Sequence, residues 1–297
     1  MNLSVSTFSY EREKKEKADI DQAITEIVED GFGVEVILEW SADPKLAEPS
    51  RWDHLKELLD GAPAISLHTR LGQYNEEALK GEIDMCAYLG GQIVVVHEET
   101  IGVDETTTDF SHVRELARYA QQKGVILALE NGRLELLRKV IEEVDILSPD
   151  GGLGICIDVG HANLLKYGHS VERYLDEFRE KLVHLHLADN FGQKDDHLAP
   201  GEGTIDWKMV LSKLREFDFK GFCTLEINTW KMVALRLREL DFRGLELELE
   251  PWAEVLLKLG ELGFSGFGNK VNNHLPRCIA RRTRSFLENL AREVGWE

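Results

Sequence analysis

Residues 110–131, FSHVRELARYAQQKGVILALEN, contain the unit from which the fold can be inferred. The first part is amphipathic at helical spacing and ends in Gly124, the residue type that commonly follows a helix C-terminus. The second part, VILALEN from Val125, is a short apolar run typical of a strand that is buried on both faces. A helix that leads into such a strand predicts parallel strands joined by crossover helices.

The same alternation of apolar runs and helical segments extends along the chain. The eight predicted strands lie near LSVSTF from Leu3, VEVILEW from Val34, AISLH from Ala64, QIVVVH from Gln92, VILALEN from Val125, LGICIDVGH from Leu153, LVHLHLADN from Leu182 and FCTLEIN from Phe222. Eight alternations predict an α/β fold, the closed (β/α)8 TIM barrel, which typically needs about 250 residues. We therefore expect one barrel domain over residues 1–297, with an addition. A doubly wound open sheet is the alternative, but no Gly-rich phosphate fingerprint follows the first strand, so no nucleotide cofactor is predicted.

The C-terminal part of the sequence contains a tandem repeat. WKMVLSKLREFDFKG from Trp207 recurs as WKMVALRLRELDFRG from Trp230, and more loosely as WAEVLLKLGELGFSG from Trp252. Only the first copy carries a glutamate at the position of Glu226, which predicts that this copy supplies the eighth strand. Residues 231–270 are then expected to form a duplicated helix-strand appendage within the barrel domain, a C-terminal insertion. The alternative is that a later copy displaces the eighth strand.

Composition and charge indicate which partners and which cellular location to expect. The formal net charge is −19, which disfavours a nucleic-acid partner, since affinity for phosphates needs clustered Lys and Arg. No apolar run is long enough to cross a bilayer, so no membrane partner is predicted. No secretion signal is recognisable and the four cysteines show no CxxC pairing, which predicts reduced thiols and a cytoplasmic location.

The residues that end the predicted strands are those that bind metals and carry protons. A TIM barrel places its active site at the C-terminal ends of its strands. The strand-end residues are His68, His97, Glu130, Asp158, His161, His186 and Glu226. Oxygen and nitrogen ligands without thiolate suit Mn²⁺, Mg²⁺, Co²⁺ or Zn²⁺, so a divalent metal is the predicted cofactor.

These motifs carry a family resemblance. LALEN with Glu130, IDVGHAN with Asp158 and His161, HLHLADN with His186, and LEIN with Glu226 resemble the xylose isomerase-like superfamily of sugar isomerases, epimerases and endonuclease IV (AP endonuclease family 2). DDHLAPGEGTIDW from Asp195 adds to the resemblance, which extends from about Leu3 to Asn228.

In the ketose 3-epimerase branch of this superfamily, four residues bind one metal. The resemblance implies that these ligands are Glu130, Asp158, His186 and Glu226, with Glu130 and Glu226 also acting as catalytic acid and base. It implies a metal-dependent isomerase or epimerase of a sugar or sugar phosphate, working by proton transfer through an enediolate. His161 would then hold a substrate oxygen, and barrels of this group often pair as homodimers.

One departure concerns the substrate pocket. The epimerase branch has an Arg after the seventh strand, where this chain has Asn190, Gln193 and Lys194. We expect the pocket for the sugar to be formed by Phe8, Trp40 and Lys194.

Two alternatives stay open. In the endonuclease IV branch nine ligands hold three zinc ions, which act on abasic-site DNA. Nine residues match those ligands here: His68, His97, Glu130, Asp158, His161, His186, Asp195, His197 and Glu226. The acidic charge and the lack of basic, aromatic-rich mouth loops count against DNA binding. The second alternative is a barrel that binds metal or sugar without turnover.

Overall fold

The computed structural model describes residues 1–10, 19–39, 45–144, 147–148, 151–229, 231–232 and 267–296, and eight of its strands form one closed parallel barrel. A two-residue strand, Leu147–Ser148, pairs antiparallel with the start of the sixth barrel strand. The barrel strands are β1 (Asn2–Ser6), β2 (Gly33–Ile37), β3 (Ile65–His68), β4 (Ile93–Val96), β5 (Ile126–Glu130), β6 (Gly151–Asp158), β7 (Leu182–Leu187) and β8 (Phe222–Leu225). Each strand pairs with its sequence neighbours, and β8 closes the ring by pairing with β1. The predicted (β/α)8 barrel is confirmed, and the open sheet is excluded because the sheet has no break.

Most helices cover the outside of the ring, and one short helix lies at its mouth. The helices are α1 (Ile20–Glu29), α2 (Pro49–Leu58), α3 (Glu76–Tyr88), α4 (Ser111–Gln122), α5 (Leu134–Val144), α6 (Val159–Ala162), α7 (Val171–Phe178), α8 (Trp207–Glu216) and α9 (Phe267–Glu293). Asp19, Asn75, Ser170 and Asp206 cap the starts of four of them by accepting backbone N–H bonds. Gly124 follows α4 with φ of 72°, as its position after the amphipathic run predicts. Among the described helices none is long and apolar enough to span a membrane.

The core lies on both faces of the barrel strands. All four residues of β4 are buried, with Val94 and Val96 in the large cluster under the helices and Ile93 and Val95 in a smaller one with Ala128 and Cys156. Burying one such aliphatic side chain stabilises the fold by about 1.5–3 kcal/mol. The strands are therefore rigid supports for the side chains at their ends.

The repeat copy that builds the barrel is the first. Its helix is α8 and its strand is β8, which pairs in parallel with β7 on one side and β1 on the other. The prediction that this copy supplies the eighth strand is thus correct. Most of the predicted appendage, residues 233–266, lies outside the described part of the chain, so its form stays a prediction. Its predicted C-terminal bound is wrong, because residues 267–270 belong to α9. Met232, at its start, is buried and accepts a hydrogen bond from the Ala199 amide at 3.2 Å.

Arginines of the last helix, α9, contact the residues between α1 and β2. Arg277 and Arg281 of α9 both bind the carboxylate of Asp30, which follows α1. Arg284 lies over the Phe32 ring at 3.3 Å from its centroid. Burial alone would raise the pKa of Asp30, but the two guanidinium groups hold it below its usual value.

Candidate metal centre

The predicted strand-end residues meet at one cavity of about 380 Å³ at the C-terminal mouth of the barrel. Seven of the nine candidate ligands line it: His68, His97, Glu130, His161, Asp195, His197 and Glu226. The other two, Asp158 and His186, are 0% exposed and lie behind the cavity wall. The resulting centre is built on the rigid ends of β3 to β8 and on the loop that follows β7.

The central group is formed by three carboxylates around one imidazole. His186 Nδ1 lies 3.3 Å from Glu226 Oε2, 3.4 Å from Glu130 Oε2 and 3.8 Å from Asp158 Oδ2. Neither His186 Nδ1 nor Asp158 Oδ2 has a hydrogen-bond partner among the described residues. A buried polar atom without a partner is costly, and these two atoms point at the same small volume. The ligand atoms of Glu130, Asp158 and His186 lie within reach of one point, and Glu226 shares a second such point with Asp158 and His197. The group therefore fits a divalent cation bound by oxygen and nitrogen.

Two further groups flank the central one. On one side His68 Nε2 and His97 Nε2 lie 3.2 Å apart, each within 3.4 Å of Glu130 Oε2. On the other side Asp195 Oδ2 lies 3.1 Å from His161 Nε2 and 2.9 Å from His197 Nε2. Each group has enough ligand atoms within reach of one point to hold a cation. Glu130 belongs to both the first flanking group and the central group.

The electrostatics of the centre are those of a cation site. Burial raises the pKa of Asp158 and of Glu226. Burial opposes charge on His186 as well, yet the anionic groups around it, including Glu35 and Glu226, raise its pKa well above the usual value. In the same way Asp195 and Glu226 overcome burial and raise the pKa of His197 to about 9. The carboxylates thus favour positive charge at this centre, which a bound divalent cation would supply.

Local sequence chemistry holds the ligands in place. Asp158 ends β6 and also caps α6, because its Oδ1 accepts the His161 amide at 2.7 Å. Asn131, directly after Glu130, donates to the Asp158 carbonyl oxygen at 3.2 Å and accepts from the Asp158 amide. The LALEN and IDVGHAN motifs are thus tied together by the backbone of Asp158.

Of the three residues predicted to form the substrate pocket, Phe8 is the one that the described structure places at the cavity. Phe8 lines the cavity, and its ring centroid lies 5.1 Å from that of His197. Trp40 lies outside the described residues. Lys194 is exposed and does not line the cavity, whereas Lys231 does. Lys231 Nζ donates to the Asp195 carbonyl oxygen at 2.8 Å and lies 3.6 Å from Asp196 Oδ1.

Sequence reasoning missed two fully buried polar residues next to the centre. Glu35 of β2 and His184 of β7 are both 0% exposed, and Glu35 Oε1 lies 3.2 Å from His186 Nε2. Burial raises the pKa of Glu35, but His186 and His184 outweigh it and hold that pKa well below the usual range. The available signal was a glutamate inside the apolar run VEVILEW, since a buried strand rarely contains an unpaired charge.

This chain is similar to known TIM-barrel proteins and to a sugar epimerase. The sequence profile of the family described as Xylose isomerase-like TIM barrel matches residues 30–261. An uncharacterized protein of Methanocaldococcus jannaschii is 30% identical over 177 residues, 54% of this chain and 59% of that protein. Fructoselysine 3-epimerase of Escherichia coli O157:H7 is 29% identical over 123 residues, 40% of this chain and 44% of the epimerase. The chain spans about half the length of these curated relatives.

A solved structure is similar over a longer stretch. The crystal structure of a D-tagatose 3-epimerase-like protein aligns with a TM-score of 0.63 and 25% identity, covering 80% of this chain and 96% of that one. Because the family profile matches most of the sequence and the barrel is closed as that description requires, this chain belongs to the xylose isomerase-like TIM-barrel family.

Proposed function

We propose that this protein is a divalent-metal-dependent sugar isomerase or epimerase that moves a proton between carbon atoms or faces of a ketose. The observation that carries the proposal is the central group, in which His186 Nδ1 faces oxygens of Glu130, Asp158 and Glu226 without a hydrogen-bond partner among the described residues. The similarity to 3-epimerases supports the same class of reaction.

The proposed chemistry divides between the cation and two carboxylates. A bound divalent cation would be held by Glu130, Asp158, His186 and Glu226 and would polarise the sugar oxygens, which acidifies the neighbouring C–H bond. Glu130 and Glu226 reach the cavity from different strands, β5 and β8. One carboxylate accepts the proton from carbon and the other returns a proton, which is general acid-base catalysis. His161, which also lines the cavity, would donate to a substrate oxygen.

The cavity favours an uncharged sugar over a sugar phosphate. Its lining includes the carboxylates of Glu39, Glu130, Asp195 and Glu226, which would repel a phosphate group. Among the described lining residues Lys231 is the one Lys or Arg side chain. We propose that Lys231 binds a hydroxyl group of the sugar, in place of the arginine that follows the seventh strand in the epimerase branch.

Substitution of Lys231 tests that assignment. Lys231→Gln should raise KM about tenfold and leave kcat within a few-fold, because one charge-assisted hydrogen bond to the substrate is lost. Lys194→Gln is the matched control, since Lys194 is exposed and does not line the cavity. Steady-state kinetics of both variants measure the split. A similar KM increase in both would show that general surface charge, and not Lys231, attracts the substrate.

The proposed function is tested by metal analysis and carbon-proton exchange. Purified protein is analysed for bound metals, reloaded with Mn²⁺ or Co²⁺, and incubated in D₂O with a panel of ketoses and aldoses. We expect about one ion per chain, because the carboxylate and imidazole groups of the central group suit one divalent cation. We also expect deuterium on the carbon beside the carbonyl, detected as loss of its proton signal in NMR spectra. Metal uptake without exchange in any sugar would instead favour a binding barrel without turnover.

A second candidate function is favoured by the flanking groups. His68 with His97 and Glu130, and Asp195 with His161 and His197, could each hold an ion beside the central one. Three ions would suit hydrolysis of a phosphodiester, as in the endonuclease IV branch. The acidic cavity and the net charge of −19 weigh against a DNA substrate. Three zinc ions per chain together with cleavage of abasic-site DNA would establish this candidate in place of the first.

A further inference from the structure

A layer of buried polar side chains lies inside the barrel next to the metal centre. Glu35 of β2, Ser66 of β3, His184 of β7 and Thr224 of β8 are each at most 1% exposed. The interior of a TIM barrel is usually filled by branched apolar side chains, and a buried carboxylate without a function is a large cost. The layer therefore requires an explanation beyond packing.

The two oxygens of Glu35 have different surroundings. Oε2 accepts a hydrogen bond from Ser66 Oγ at 3.0 Å and lies 2.8 Å from His184 Nε2. The Thr224 hydroxyl lies 3.1 Å from the same His184 nitrogen. Oε1 has no such anchor and lies within ion-pair distance of His186 Nε2, at 3.2 Å, and neither of these two atoms makes a hydrogen bond among the described residues. The carboxylate is thus fixed on one side and presents its other oxygen to His186.

This placement determines which nitrogen of His186 carries the proton. A carboxylate facing Nε2 favours the Nε2–H form, which leaves the lone pair on Nδ1. Nδ1 is the atom that faces Glu130, Asp158 and Glu226. We propose that Glu35 is a positioning residue that fixes the ring orientation and proton position of His186 so that Nδ1 is presented to the cation. The inference rests on the metal site of the proposed function.

A competing arrangement uses the same atoms. Cys156, His184 and His186 place their ligand atoms close enough to hold an ion of their own inside the barrel. That arrangement would make His186 a ligand of a different ion and would require the buried Cys156 thiol to lose its proton, although burial raises its pKa to about 12. The two arrangements predict different spectra with Co²⁺, because only the second gives a sulfur-to-metal charge-transfer band.

The test compares replacement of the Glu35 carboxylate with replacement of Ser66, which donates a hydrogen bond to its Oε2. Wild type, Glu35→Gln and Ser66→Ala are titrated with Co²⁺ in competition with a chelator, and the unfolding temperature of each metal-free protein shows that it is folded. We expect Glu35→Gln to bind Co²⁺ about 10–100-fold more weakly, the usual effect of losing a group that orients a metal-binding histidine. Ser66→Ala should stay within a few-fold of wild type, because the carboxylate remains beside His186.

Each other outcome has a distinct meaning. Equal affinity of wild type and Glu35→Gln would overturn the role of Glu35 while leaving the metal site intact. A wild-type protein that takes up no Co²⁺ would overturn the metal site and this inference with it. A sulfur-to-Co²⁺ charge-transfer band would also overturn the inference, because Cys156 would then be a ligand.

A measurement on the wild-type protein covers the case in which Glu35→Gln does not fold. Histidine labelled with ¹⁵N allows the proton of each ring to be located by long-range ¹H–¹⁵N correlation spectra of the Zn²⁺-loaded protein. We expect His186, assigned by its loss in His186→Gln, to carry its proton on Nε2. A proton on Nδ1 would overturn the inference without any change at Glu35.

Discussion

Replacing Glu226 by glutamine should lower turnover about a thousandfold, the range expected when a group that transfers a proton in the rate-determining step is removed. Glutamine has nearly the same shape, and its amide oxygen still offers a ligand atom, but it cannot accept or donate the proton. Metal affinity should therefore fall much less than kcat. Turnover of the sugar found by deuterium exchange, together with metal content, separates the two effects.

Asp195→Ala is the comparison for that result. Asp195 contacts His161 and His197 in a flanking group and does not face His186 Nδ1 in the central group. If the reaction needs one ion and the two carboxylates that move the proton, turnover should stay within about tenfold of wild type. The loss is small because Asp195→Ala removes only one hydrogen bond that orients His161. Equal losses in Asp195→Ala and Glu226→Gln would contradict the one-ion mechanism and favour three ions.

Asp158→Asn should abolish tight metal binding without destabilising the metal-free protein. Asp158 is 0% exposed and its Oδ2 has no hydrogen-bond partner among the described residues, so in the metal-free state this charge is a cost. Asparagine keeps an oxygen for the His161 amide and removes the charge. We expect metal affinity to fall by at least about a hundredfold and the metal-free free energy of unfolding to stay equal or rise by about 1 kcal/mol. Metal competition and urea unfolding measure the two quantities.

Asp189 offers a matched control for Asp158. It is also 0% exposed, but its carboxylate accepts from Trp207 Nε1 at 2.8 Å and from the backbone amides of Asn190, Gly201 and Ile205. Asp189→Asn places an amide N–H among donors and should lower the free energy of unfolding by about 3 kcal/mol, with little change in the metal affinity of the folded protein. If Asp158→Asn destabilised the metal-free chain as much as Asp189→Asn, Asp158 would be structural and not a ligand kept for a cation.

The barrel and the central group could be predicted because both depend on regular features of the sequence. Buried parallel strands are continuous apolar runs, and the residue after each run lies at the mouth in any closed barrel. Seven of the nine candidate ligands were accordingly predicted by position alone, whereas Asp195 and His197 were predicted from the family resemblance. The first repeat copy was identified as the eighth strand because Glu226 completes the set of strand-end groups.

The remaining features depend on contacts that the periodicity of a sequence does not reveal. Glu35 lies inside a strand and not at its end, so a search of strand ends passes over it. Lys231 lines the cavity and its Nζ contacts the Asp195 carbonyl oxygen in the loop after β7, and contacts between loops leave no pattern in the sequence. The start of α9 at Phe267 was also unpredicted, since the apolar pattern of the last helix becomes clear only near Cys278.

The complete burial of Asp158 and His186 behind the cavity has a consequence for how a cation would exchange. A cation held between these two side chains and the cavity-lining Glu130 and Glu226 would leave through the cavity, the same route by which a sugar enters. A bound sugar would therefore slow the loss of the ion. Transfer of Mn²⁺ from the protein to a chelator should accordingly be slower in the presence of a bound sugar than in its absence.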